Sequence, residues 1–224
     1  MPLLSTIWAI GLGIAGLSLW LFAYLADEVM EQETIGFDRN ILLALRTWHR
    51  PWLDRLAVFV TDLGDPWTLG ISSAILAALL WRKRRIDAIV LAVAATGSIG
   101  LNVLLKAFFD RPRPQLWNRL VNVQYHSFPS GHAMGSIAIL GVIGYWLAVQ
   151  HPKRRSLIFV VTTLWILLTG LSRLYLGVHW PTDVIAGYAA GLVWLATCIL
   201  SLEIAWKRRS LQMLKGDRSR KLKD

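Results

Sequence analysis

The chain has 224 residues, of which 55% are hydrophobic and 17% charged, with a formal net charge of +10 and a mean hydropathy of +0.47. Soluble domains carry about 25% charged residues, so this composition makes the lipid bilayer the expected solvent. A net charge of this sign on a soluble protein would point to nucleic acid, but here the basic residues are sorted into short loops between apolar runs, and no nucleic-acid partner is expected.

The first apolar run, Leu3 to Ala26, contains no charge before Asp27 and Glu28. A spanning helix needs roughly 20 mostly apolar residues. The run lacks the basic n-region of a signal peptide and exceeds the roughly 7 to 15 residues of an h-region, which marks it as a retained anchor. Residues 27–55 then mix acids with the amphipathic piece FDRNILLALRTWHRPWLDRL, whose pattern fits a helix lying along the membrane surface.

Five further spans follow: Pro66 to Trp81, Ala88 to Phe109, Ala133 to Gln150, Ser156 to Leu171 and Val184 to Trp206. The second of the six is short and preceded by Asp62 and Asp65, so its start lies anywhere from Leu56 to Pro66. No strand pattern occurs. Of the twelve tryptophans, Trp67, Trp81, Trp180 and Trp206 fall at span ends, where indoles favour the interface. Cys198 is the only cysteine, which excludes a disulfide framework or thiolate metal site within the chain. The expected fold is all-α, a six-transmembrane-helix bundle with interfacial helices between the first and second spans. Residues 1–206 form one transmembrane domain and 207–224 a basic cytoplasmic tail.

If six spans alternate, Arg82-Lys83-Arg84-Arg85, Lys153-Arg154-Arg155 and the tail share one side, which the positive-inside rule makes cytoplasmic. Both termini are then inside, and the loops 27–65, 109–130 and 172–183 lie on the extracytoplasmic face of a plasma (inner) membrane. For the tail KRRSLQMLKGDRSRKLKD, attraction to anionic inner-leaflet lipid at about 1 kcal/mol per basic residue is a sufficient account.

Three clusters occupy the outer loops. In KAFFDRPRP, Lys106 ends the third span and Arg113 follows across a segment held extended by Pro112 and Pro114. Taken alone, these could be cations snorkelling to headgroups. In FPSGH, Ser130 is a good N-cap, Gly131 lets backbone approach a ligand closely, and His132 lies in the first turn of the fourth span. A helix N-terminus there could hold a phosphate, or could simply be capped. In SRLYLGVHWPTD, His179 and Asp183 are four apart, a spacing that shares a helix face, with Pro181 tolerated in a first turn. A carboxylate on one imidazole nitrogen leaves the other free to attack, which makes His179 the candidate nucleophile. Arg173, a short loop upstream, offers a planar fork that matches phosphate oxygens. Arg111-Pro112 repeats the Arg-Pro pair, so either guanidinium could reach the site. His126, nearby, reads as an exposed loop residue.

Lys106-x6-Arg113-Pro114, Pro129-Ser130-Gly131-His132 and Ser172-Arg173-x5-His179-x3-Asp183 together resemble the three-part signature of the type 2 phosphatidic acid phosphatase and vanadium haloperoxidase superfamily. The resemblance implies a membrane phosphatase in which His179 attacks phosphorus to give a phosphohistidine, Asp183 orients it, and His132 protonates the leaving alkoxide. It implies that Lys106, Arg113, Ser130, Gly131 and Arg173 surround the phosphoryl oxygens, and its spacing favours Arg113 over Arg111. No cofactor and no metal are expected, since the cations neutralise the transferring charge and no side-chain cluster has metal-ligand spacing. The implied substrate is a lipid phosphate, among them phosphatidic acid, phosphatidylglycerol phosphate, lysophospholipid phosphates and undecaprenyl diphosphate. The same resemblance leaves room for a vanadate-dependent haloperoxidase, a glucose-6-phosphatase-like enzyme, or a non-catalytic lipid-binding or transport protein.

Overall fold

The computed structural model describes residues 2–123 and 126–221, with side chains over 8–123 and 126–212. The described residues form helices and no strand: α1 (Pro2–Met30), α2 (Ile35–Arg46), α3 (Pro51–Leu63), α4 (Pro66–Trp81), α5 (Arg85–Phe109), α6 (Gly131–Gly135), a π turn (Ser136–Leu140), α7 (Gly141–Gln150), a 3-10 turn (Pro152–Arg154), α8 (Arg155–Tyr175) and α9 (Pro181–Lys221). Proline opens α3, α4 and α9, where its missing N–H costs no helical bond. Asp65 caps α4 with its side chain, accepting from the amides of Trp67 at 2.8 Å and Thr68 at 3.3 Å.

Among the described residues five helices are long and apolar enough to cross a membrane, and the count rises to six if α3 and α4, bent by 45° at their junction, form one broken span. The sequence reading began this span between Leu56 and Pro66. Helix α4 alone has 16 residues, about 24 Å at 1.5 Å per residue, short of the roughly 30 Å hydrocarbon core. The amphipathic piece read as one surface helix is divided instead. Arg50 is extended ahead of Pro51, so α2 ends and α3 starts afresh. Beyond Trp206, α9 continues without a break to Lys221, while 222–224 lie outside the described residues.

Helix α9 runs against α1, α5 and α6. Its approach to α6 requires Gly187, because a Cβ there would sit 2.6 Å from the Ser130 carbonyl oxygen. Ser130 N donates to Asp183 O at 2.9 Å across the same contact. Buried Leu91, Ala94, Ile139, Val142 and Cys198 fill the seam among α5, α7 and α9. At the opposite end of the bundle from this contact, Asp87 accepts the indole N–H groups of Trp146 at 3.0 Å and Trp206 at 2.7 Å. Trp206 is thus an internal clamp rather than a free belt residue. Trp180 likewise donates to the Pro112 carbonyl, whereas Trp67 and Trp81 are exposed as belt residues are.

Candidate active site

The C-terminal turns of α5 and α8, the α3–α4 junction, the N-terminal turn of α6 and the turn before α9 meet around one cavity of about 610 Å³, whose walls include Lys106, Arg113, Gly131, His132, Arg173 and His179. All three sequence clusters therefore converge, by different local devices.

His179 sits in the turn between α8 and α9, almost fully buried at 1% side-chain exposure. The turn passes through Gly177, whose φ of 66° lies in the left-handed region and whose missing Cβ leaves room for the Trp117 ring. The sequence reading placed His179 and Asp183 on one helical face, but α9 begins at Pro181, after the histidine. The two meet because Asp183 turns back over the helix start: Oδ2 accepts the Trp180 amide at 2.8 Å and lies 3.2 Å from His179 Nδ1. Ser127 Oγ donates to the same oxygen. The other ring nitrogen, Nε2, accepts from Arg113 Nη1 at 3.1 Å. This network assigns the imidazole proton to Nδ1 and the lone pair to Nε2. Burial pushes the His179 imidazole well below its ordinary range, and Arg113, Lys106 and Arg173 push it further, so it is neutral at physiological pH.

Arg113 also donates to the Val178 carbonyl at 2.6 Å, which ties it to the histidine's own turn. Burial lowers its guanidinium to about 10, still cationic at neutral pH. Lys106, in the last turn of α5, donates to His126 O at 2.8 Å. His126 itself pairs with Asp110 and borders the cavity, so it is a partner of Lys106 as well as a loop residue. Arg173 is in the last turn of α8, not in a loop, and is buried against Thr61.

Ser130 occupies the N-cap position with extended backbone, yet its hydroxyl makes no capping bond. Ser130 Oγ and Arg173 Nε are buried without a hydrogen-bond partner among the described residues. Arg173 lines the cavity and Ser130 does not, so the Arg173 Nε is an orphan donor available to a tetrahedral anion beside Lys106 and Arg113. His132 faces the same cavity with Nε2 3.6 Å from Asp65 Oδ1.

Several participants escaped the sequence reading. Asp65 was legible as a helix start, standing directly before Pro66. Asn102 donates to the Pro129 carbonyl at 3.2 Å and shapes the loop before Ser130, with no local signal to mark it. Arg111, the alternative phosphate ligand, points away from the cavity and pairs with Asp183 at 2.6 Å and Asp38 at 2.8 Å.

Residues 87–207 match the PAP2 superfamily. The chain is 31% identical to phosphatidylglycerophosphatase B of Bacillus subtilis over 181 residues, covering 79% of this chain and 89% of that protein. It is 28% identical to an undecaprenyl-diphosphatase of Sulfolobus acidocaldarius, covering 83% of this chain and 88% of that one. Among solved structures it resembles a transmembrane PAP2-type phosphatidylglycerolphosphate phosphatase from Bacillus subtilis, with a TM-score of 0.77 at 28% identity over 82% of this chain and 93% of that one.

Proposed function

This chain belongs to the PAP2 superfamily and is a membrane-embedded phosphoric ester hydrolase, and from that premise we propose that it hydrolyses a phosphomonoester or diphosphate lipid through a phosphohistidine at His179. Phosphatidic acid, phosphatidylglycerol phosphate and undecaprenyl diphosphate are the candidate substrates. The observation that carries the reading is the paired occupation of one imidazole: Asp183 on Nδ1 and a cation-facing lone pair on Nε2, at 3.2 Å and 3.1 Å.

In the first step Nε2 attacks phosphorus and the P–O bond to the lipid breaks. Lys106, Arg113, Arg173, Ser130 Oγ and the Gly131 amide take up charge on the equatorial oxygens, and His132 gives a proton to the leaving oxygen. In the second, water loses its proton to His132, attacks phosphorus and breaks the P–N bond, releasing phosphate. The cations supply the electrostatic stabilisation, so EDTA should leave the rate unchanged.

A lipid substrate is supported by the shape of the cavity. Its wall follows α5 inward from Lys106 through Val103 to Ser98, about 12 Å at 1.5 Å per residue, so a phosphate held at the cations leaves room for an attached apolar group. We read α3 with α4 as the second of six spans, α2 as a surface helix, 1–206 as the phosphatase domain and 207–224 as a basic cytoplasmic segment against anionic lipid. On that topology the site is extracytoplasmic and both termini are inside.

The test is phosphate release by purified protein from a panel of lipid phosphates, together with an alkaline denaturing quench that traps labelled protein. An alkali-stable, acid-labile phosphoryl group present in the wild type and missing from His179→Ala is the expected result. Trapping of equal label in His179→Ala would refute the intermediate.

A further inference from the structure

Arg111 is buried, and its guanidinium bridges two carboxylates. Nη1 donates to Asp183 Oδ1 at 2.6 Å and Thr182 Oγ1 at 2.8 Å, while Nη2 donates to Asp38 Oδ2 at 2.8 Å and Thr34 Oγ1 at 3.0 Å. Asp38 comes from α2, far from every motif in sequence, and has no exposed surface. It is itself anchored to the start of α9, accepting the Thr182 amide at 3.0 Å and the Thr182 hydroxyl at 2.7 Å. Neither Asp38 nor Arg111 borders the cavity.

We infer that Asp38 and Arg111 are positioning residues for the His179–Asp183 pair, acting through Asp183, and that Arg111 is not a phosphate ligand. The inference rests on reading His179 as the nucleophile. A carboxylate can rotate about its Cβ–Cγ bond, and the His179 contact needs Oδ2 on one side. Arg111 fixes that rotation by holding Oδ1, in the fork geometry that only a guanidinium supplies.

Charge gives Asp38 a second task. A lone guanidinium would neutralise Asp183 and weaken its hold on an imidazole that becomes positive as Nε2 attacks. With Asp38 compensating Arg111, two carboxylates share one cation, and one net negative charge remains for His179. In a buried site of low effective dielectric that charge acts strongly. Ser127 and the Trp180 amide satisfy the remaining lone pairs of Oδ2 without adding charge.

The experiment compares Asp38→Asn, the double variant Asp38→Asn/Arg111→Gln, Arg113→Gln and His179→Ala, each checked for folding by its melting point in detergent. The measurements are kcat, KM and the inhibition constant for inorganic phosphate. Asp38→Asn should lower kcat by about 10- to 100-fold, the scale on which outer partners of a held imidazole act, with KM and phosphate inhibition within about twofold of wild type. The double variant removes one charge of each sign, so the net charge beside His179 is unchanged while the hold on Asp183 Oδ1 is lost, and it should show the same split. It serves as the test if the single variant fails to fold. Arg113→Gln should instead raise both KM and the phosphate inhibition constant. Wild-type kcat in the folded double variant, or a phosphate inhibition constant raised as far as in Arg113→Gln, would overturn the inference. Activity in His179→Ala would overturn the nucleophile reading on which it stands, and is seen separately.

Discussion

Arg113 Nη1 lies 3.1 Å from Nε2 of His179, a cation donating to the lone pair that attacks in the proposed mechanism. The contact holds the imidazole neutral in the free enzyme, alongside burial, and must be exchanged for substrate phosphate before Nε2 can reach phosphorus. Because the His179 imidazole lies well below its ordinary range, protonation removes the nucleophile only at a pH below the usual imidazole value of about 6.5. The acid limb of kcat/KM, corrected for the substrate's own titration, should therefore fall below that value. Arg113→Gln removes one of the lowering causes and should move the limb up towards neutrality. A limb at or above about 6.5 in the wild type, unmoved by Arg113→Gln, would contradict this.

Asp183→Asn keeps Nε2 in the site but replaces the acceptor of Nδ1–H by a group that can present N–H instead. Loss of kcat by about 10³- to 10⁴-fold is expected, as when the orienting carboxylate of a catalytic triad is neutralised. His179→Ala should release no phosphate at all. Initial rates for the two variants, at saturating substrate, separate an orienting role from a structural one.

The bundle was legible because apolar runs are long and their ends carry charge, indole or proline, so Leu3 to Ala26 and Ala88 to Phe109 both appear as helices with modest extension. The α3–α4 junction was not, since a bend at residues 64–65 depends on how Asp65 caps the second helix, and hydropathy carries no such signal. The candidate cavity-lining residues were legible where a short motif fixes local geometry, as at Gly131-His132. Asp38 was invisible for the opposite reason: its partners Arg111 and Thr182 lie more than 70 residues away, and only the packing of α2 on α9 brings them together.

Gly177 carries the one positive glycine φ among the described residues, 66°, in the turn that presents His179. Gly177→Ala should destabilise the protein by about 1–2 kcal/mol from backbone conformation alone. The added Cβ would also lie 2.5 Å from the Trp117 ring, which must shift. Thermal unfolding in detergent should register the loss, and kcat should fall with it because the displaced turn moves the nucleophile. An unchanged melting point would mean that the turn adopts another conformation in the membrane.

Arg173 is buried in the last turn of α8, with no partner for its Nε among the described residues and one Nη on Thr61. Arg173→Lys preserves charge but offers no planar fork, so a phosphate would lose a directed pair of hydrogen bonds and keep a point charge. A fall in kcat/KM of about 10- to 100-fold is expected, from a loss of roughly 1.5–3 kcal/mol for hydrogen bonds to a charged group. Wild-type kcat/KM in Arg173→Lys would show that charge alone suffices there.

The sidedness of the cavity can be tested without touching the chemistry. Leu120 is 48% exposed in the segment between α5 and α6, on the same end of the bundle as the cavity. Cys198, the native thiol, is buried at 3% exposure and should give little background. On the proposed topology, in which the positive-inside rule puts the basic runs at residues 82–85 and 153–155 in the cytoplasm at the other end of the same helices, a membrane-impermeant maleimide should label Leu120→Cys in intact cells. Labelling that appears only after permeabilisation would put the phosphate site on the cytoplasmic face. It would then require the arginine-rich loops to lie outside, against the charge bias that orients the other spans.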